Sequence, residues 1–149
     1  MSKVYKTSCL SSSNNMYLLL FWEDWSRYDL SDNSILKIKT ILTRVFKNQA
    51  TYTIDFQNIV AILTNERGNI NSRPHSASDL QNSIIQEDVR YTTITQDWNE
   101  YVVDDGTRIK IQPLLMNVSK TSLFDSSGIP IYLVNSQATV QIRPPRNPI

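Results

Sequence analysis

The chain has 149 residues, 40% hydrophobic and 19% charged, and its 15 Lys and Arg against 14 Asp and Glu leave a net charge of +1. That length suits one domain with a single core, and the near-neutral balance creates no overall field toward nucleic acid or an anionic membrane. A single cysteine, a single histidine and three glycines exclude a disulfide scaffold, a Cys/His zinc module and a glycine-rich phosphate loop, so no metal or cofactor is expected.

In chain order, residues 1–15 are polar and read as a disordered tail that contains Cys9. Met16 to Trp22 is the longest apolar run, about a third of a membrane-spanning helix, so no membrane insertion is expected. A secretory signal is the alternative, because Lys3 and Lys6 precede the run. Ser11 to Asn15 separate them from it, however, and Glu23 and Asp24 stand where a small-residue cleavage site belongs. A cytoplasmic protein is the expectation.

The middle of the chain repeats itself. Asp24, Trp25, Tyr28, Asp32, Lys37, Ile38, Leu42, Val45 and Lys47 recur at one constant offset as Asp97, Trp98, Tyr101, Asp105, Lys110, Ile111, Leu115, Val118 and Lys120. After a seven-residue insertion in the second copy the match resumes with Tyr52/Tyr132, Ile54/Val134, Gln57/Gln137, Val60/Val140 and Ile62/Ile142. The reading is a single β domain over 16–143, made of repeat 1 (16–63), a linker loop with a short helix (64–88) and repeat 2 (89–143).

The repeat arbitrates between periodicities. Ile35, Ile38, Leu42 and Val45 fit one face of a helix, while Leu36, Ile38 and Leu42 fit one face of a strand. The second copy alternates from Thr107 and carries Pro113 mid-segment, where a helix would lose a hydrogen bond and clash. Each repeat is therefore expected as three strands, near 17–30, 34–47 and 50–63, then 89–103, 107–121 and 130–142. Turn residues at 31–33, 47–49, 104–106 and 125–128 separate them. Ser76 to Leu80 has the pattern of a capped helix start, ending before Glu87. A unit of about 50 residues cannot bury a sufficient core alone. The fold class is accordingly all-β with one short helix: two tandem three-stranded meander repeats packed as a pseudo-two-fold six-stranded barrel or sandwich. Residues 144–149 form a proline-rich tail. Pro145 and Pro148 have the PxxP spacing that aromatic grooves bind, and plain chain termination explains them as well.

The repeated Asp-Trp-x-x-Tyr motif offers Trp25, Tyr28, Trp98 and Tyr101 as a recognition surface, although retention in both copies fits core packing better. Glu23 with Asp24, Asp97 with Glu100, and Asp104 with Asp105 would hold a hard cation or share acid and base roles only if their oxygens converged; for Asp104 and Asp105, turn chemistry suffices. His75 lies in a loop, Cys9 in the tail, and no serine sits in an elbow motif, so no catalytic residue is named and a non-enzymatic protein is expected. Lys37, Lys39, Arg108 and Lys110 alternate with apolar residues and line an outer sheet face, where Tyr28 and Tyr101 would complete a weak single-strand platform. The expected function is a non-enzymatic protein–protein interaction or structural assembly module. Its partner is another protein or a further copy of itself. A small-barrel single-stranded nucleic-acid binder is the alternative, with nucleic acid the disfavoured partner. The first repeat is expected to be the more adhesive, because the second carries Pro113, a longer hairpin and the proline tail.

Overall fold

The computed structural model describes residues 4–5, 16, 18–70 and 73–145. It contains strands β1 (Val4–Tyr5), β2 (Leu18–Trp22), β3 (Ser26–Leu30), β4 (Ile35–Asn48), β5 (Thr51–Leu63), β6 (Ile84–Gln86), β7 (Tyr91–Thr95), β8 (Asn99–Val103), β9 (Arg108–Phe124) and β10 (Pro130–Arg143), with one helix, α1 (Ala77–Asn82). The strands form two antiparallel sheets. One runs β1-β2-β8-β9-β10, with β6 against the far end of β9; the other runs β5-β4-β3-β7. Both sheets are open, and no closed barrel forms among the described residues.

Alternation of apolar and polar side chains is what makes β4 and β9 strands. β4 buries Leu36, Ile38, Thr40 and Leu42, then Val45. The change of phase falls at Thr43, which has no partner in the register between Leu42–Phe56 and Arg44–Asp55. Such a bulge adds one residue and so returns the next apolar side chain to the core face. β9 does the same at Met116, skipped between Leu115–Ser136 and Asn117–Asn135. Pro113 lies two residues past the last β8 pair, Asn99 with Ile111, so its missing N–H removes no bond to that strand.

The structure corrects the first strand expected in each of the two segments. Residues 17–30 form two strands in different sheets, β2 and β3, and 89–103 likewise divide into β7 and β8. β2 pairs with β8, and β3 pairs with β7. Each expected meander thus gives its leading strand to the other sheet. The break coincides with the Asp-Trp motif. Asp24 Oδ1 accepts the Trp25 N–H at 2.8 Å, and the Asp24 N–H donates to Asn99 Oδ1 at 3.1 Å. Backbone groups that leave the ladder there are bonded by side chains, which lets the strand turn a corner.

Two apolar clusters fill the interior, and each draws on both sheets. One holds Met16, Leu42, Val45, Tyr101, Val103, Ile109 and Ile111. The other holds Tyr28, Leu30, Leu36, Ile38, Val89, Leu115, Val118 and Tyr132. Met16, Leu42 and Val45 have Val89, Leu115 and Val118 as their counterparts, and Tyr101, Val103, Ile109 and Ile111 have Tyr28, Leu30, Leu36 and Ile38. Even the backbone bond that anchors each outlying residue recurs: Met16 N–H to Val45 O at 2.9 Å, and Val89 N–H to Val118 O at 2.8 Å.

α1 starts as expected, with Ser76 Oγ accepting the Asp79 N–H and Asp79 returning a bond to the Ser76 N–H. Val4–Tyr5, inside the segment 1–15 read as a tail, pairs with β2; the rest of that segment lies outside the described residues. So do residues 146–149 of the proline-rich tail.

Candidate functional site

At the turn between β8 and β9, Asp105 is the hub of a cluster that spans the two sheets. Its Oδ1 accepts the Thr107 N–H at 2.9 Å, and its Oδ2 accepts the Tyr52 hydroxyl at 2.6 Å and the Lys47 ammonium at 3.3 Å. The Thr107 hydroxyl donates to Tyr52 Oη at 2.9 Å, and Lys47 lies 5.3 Å from the centre of the Tyr52 ring. Burial raises the Asp105 carboxyl, but these donors outweigh it and hold the group at about 2. The turn is closed by Gly106, whose φ of 86° suits glycine.

The same constellation stands at the β3–β4 turn. Asp32 accepts the Tyr132 hydroxyl, the Ser34 N–H at 3.0 Å and the Lys120 ammonium at 3.1 Å. Lys120 also reaches Glu66 at 2.7 Å, and burial aside, those donors hold the Asp32 carboxyl below its ordinary range. Sequence reading assigned Asp105 to a solvated turn and missed both clusters. The signal was available: Asp, Lys and Tyr recur at polar positions of both copies, and a solvated turn gives Lys47 and Tyr52 no reason to recur with it.

Of the four aromatic residues proposed for recognition, Tyr28 is 0% and Tyr101 1% exposed, while Trp25 and Trp98 are half-buried. Tyr101 donates to Glu23 Oε1 at 2.8 Å and Tyr28 to Gln96 Oε1 at 2.8 Å. Lys39 lies 5.9 Å from the Trp25 ring centre. With both tyrosines inside the core, the stacking platform suggested for single-stranded nucleic acid has no rings to offer from them. Two of its four cations are engaged, Lys39 with Glu23 at 3.8 Å and Lys110 with Glu100 at 3.0 Å.

Four of the six carboxylates in the acidic pairs have protein partners, Asp105 among them as described above. Glu23 accepts from Tyr101, Asp24 caps Trp25, and Glu100 pairs with Lys110. Among the described residues no group of three His, Cys, Asp or Glu side chains is placed to hold a metal. His75 Nε2 lies 3.2 Å from Phe124 O. Cys9 lies outside the described residues. No helix among them is long and apolar enough to cross a membrane.

The outward-facing feature is the edge strand β5. It has 13 residues, contains no proline and, among the described residues, pairs on one side only, with β4. Phe56, Ile59, Val60 and Leu63 are exposed on it, Leu63 by 50%. The other long edge, β10, exposes Asn135, Gln137, Thr139, Gln141 and Arg143. An apolar edge with free N–H and C=O groups is a template for strand addition; a polar one followed by Pro144 and Pro145 is a poor one.

Comparison with known proteins finds no match for the chain among family models, curated proteins or solved structures.

Proposed function

We propose that the chain is a tandem duplication whose units pack as a pseudo-two-fold sandwich, and that it acts as a non-enzymatic assembly module. The duplication is supported by the residue-for-residue correspondence of the two apolar clusters and the two Asp–Tyr–Lys clusters. The assembly reading rests on one observation, the long apolar edge of β5. From Phe56 to Leu63 that strand carries no charge, so two copies paired antiparallel along it would oppose no like charges. The occupant proposed is a second copy of β5, joining two four-stranded sheets into one. A continuous sheet of this kind is isologous and closes as a dimer.

The test is sedimentation of the full chain over a concentration series, with hydrogen exchange on the same samples. A concentration-dependent dimer that gains protection within 51–63 is expected. Ile59→Lys should abolish it, and Thr139→Lys, at the corresponding place on β10, should leave it intact. A monomer at all concentrations, or protection gained on β10 instead, overturns the reading.

A further inference from the structure

Arg108 and Arg143 are direct cross-strand partners at the end of the β9–β10 ladder, so their guanidinium groups leave the sheet on one face. Like charges directly opposite in an antiparallel pair are destabilising. In the other sheet the corresponding pair is Ile35 with Leu63, which carries no such cost. All fourteen Asp and Glu lie among the described residues, and the ion pairs there engage Arg27, Lys39, Arg44, Lys47, Lys110 and Lys120. None of them reaches Arg108 or Arg143.

Both arginines line a cavity of about 530 Å³ walled by Gly106, Pro144 and Pro145. Arg108 also borders a second cavity, of about 210 Å³, lined by Phe21, Trp22 and Val102. Two guanidinium forks that no described carboxylate pairs with therefore share one cavity, and one of them, Arg108, also adjoins an aromatic recess whose lining includes the Lys110–Glu100 ion pair. A single carboxylate would neutralise one of them. A phosphate monoester carries a charge of roughly −1.5 to −2 at neutral pH and three acceptor oxygens, which matches two arginines in charge and in donor geometry.

We infer that Arg108 and Arg143 form a binding site for a small organic phosphate monoester, whose apolar part enters the recess beside Trp22. The site is independent of the β5 edge and of the assembly reading.

Phenyl phosphate is the probe, titrated calorimetrically into the full chain and compared with inorganic phosphate and with sodium chloride at equal ionic strength. Saturable binding is expected, with phenyl phosphate tighter than inorganic phosphate. Arg108→Gln and Arg143→Gln should each weaken it at least tenfold, and Lys37→Gln, on the other sheet, should not. Trp22→Ala should weaken phenyl phosphate and spare inorganic phosphate. Thermal melts supply a second reading on the same variants. Arg143→Gln should raise the ligand-free midpoint, because it removes the like-charge pair, and should lose the rise that phenyl phosphate gives the parent protein. Heat no greater than that of sodium chloride overturns the site, as does an affinity unchanged from the parent protein in both arginine variants. A lowered ligand-free midpoint in Arg143→Gln with the phosphate response retained also counts against it.

Discussion

Tyr52 donates its hydroxyl to Asp105 across 53 positions of sequence, at 2.6 Å, and so fastens an edge strand of one sheet to a turn of the other. Tyr52→Phe takes that donor from a partly buried carboxylate and leaves the Thr107 hydroxyl without its acceptor. Hydrogen bonds to charged groups contribute about 1.5 to 3 kcal/mol, and a loss of that size is expected in urea melts. Tyr132→Phe should cost a similar amount at Asp32. The two sites share no residue, so the double variant should be additive within about 0.5 kcal/mol. Near-neutral variants would show that these clusters decorate the fold without holding it.

The carboxyls of those clusters set an acid limit. Asp105 is held at about 2 in the folded chain against 3.8 in the unfolded one, and Asp32 is lowered as well. A folded value below the unfolded one contributes stability that is present above the unfolded pKa and lost as pH falls through the folded one. Melting midpoints should therefore hold from pH 7 to about pH 4 and fall between pH 4 and 2. Asp105 should account for about 2 kcal/mol of the loss. Asp105→Asn should be less stable at pH 7 and flatter across the acid range; a parallel pair of curves would assign the acid transition elsewhere.

Ile38, Leu42, Ile111 and Leu115 sit inside the two apolar clusters. Replacing any of them by alanine should destabilise by about 2 to 5 kcal/mol through lost burial and a residual cavity. Lys37→Ala, on the opposite face of the same strand as Ile38, should shift the denaturation midpoint little. Comparable losses for Lys37 and Ile38 would mean that the faces of β4 are reversed.

Tyr101 and Tyr28 occupy corresponding core positions but bond different partners, a glutamate in one case and a glutamine in the other. Removing the hydroxyl takes a hydrogen bond from a buried carboxylate only beside Tyr101, where Glu23 is 8% exposed and keeps Lys39 at 3.8 Å. Tyr101→Phe should therefore cost more than Tyr28→Phe, since a hydrogen bond to a buried charged group contributes more than one to an amide. Equal losses in chemical denaturation would place Glu23 in water.

Much of this architecture was legible in the chain because repetition removed an ambiguity that periodicity left. Pro113 in the second copy excludes the helix that Ile35, Ile38, Leu42 and Val45 permit in the first, and β4 and β9 are both strands. What was not legible is where one strand becomes two. The apolar run stops at Glu23 and Asp24 with no glycine or proline before Tyr28, and only the side-chain bonds around Asp24 and Asn99 reveal the corner. Pairing across copies was hidden for the same reason: an alternating pattern fixes which face a residue takes and says nothing of which strand lies beside it. The Arg108–Arg143 pair escaped notice because it exists only once β9 and β10 are set in register.

The exchange of β2 and β7 between the sheets makes the two halves of the molecule interlocked. β2 waits for β8 and β3 waits for β7, so neither sheet reaches its full width until nearly the whole chain is present. Pairings at such sequence separation slow folding, because loop closure must precede the contacts that reward it. A chain cut between β5 and α1 would leave two fragments, each short of a strand that only the other can supply. Mixed together they should rebuild one native molecule, and kept apart neither should hold its shape.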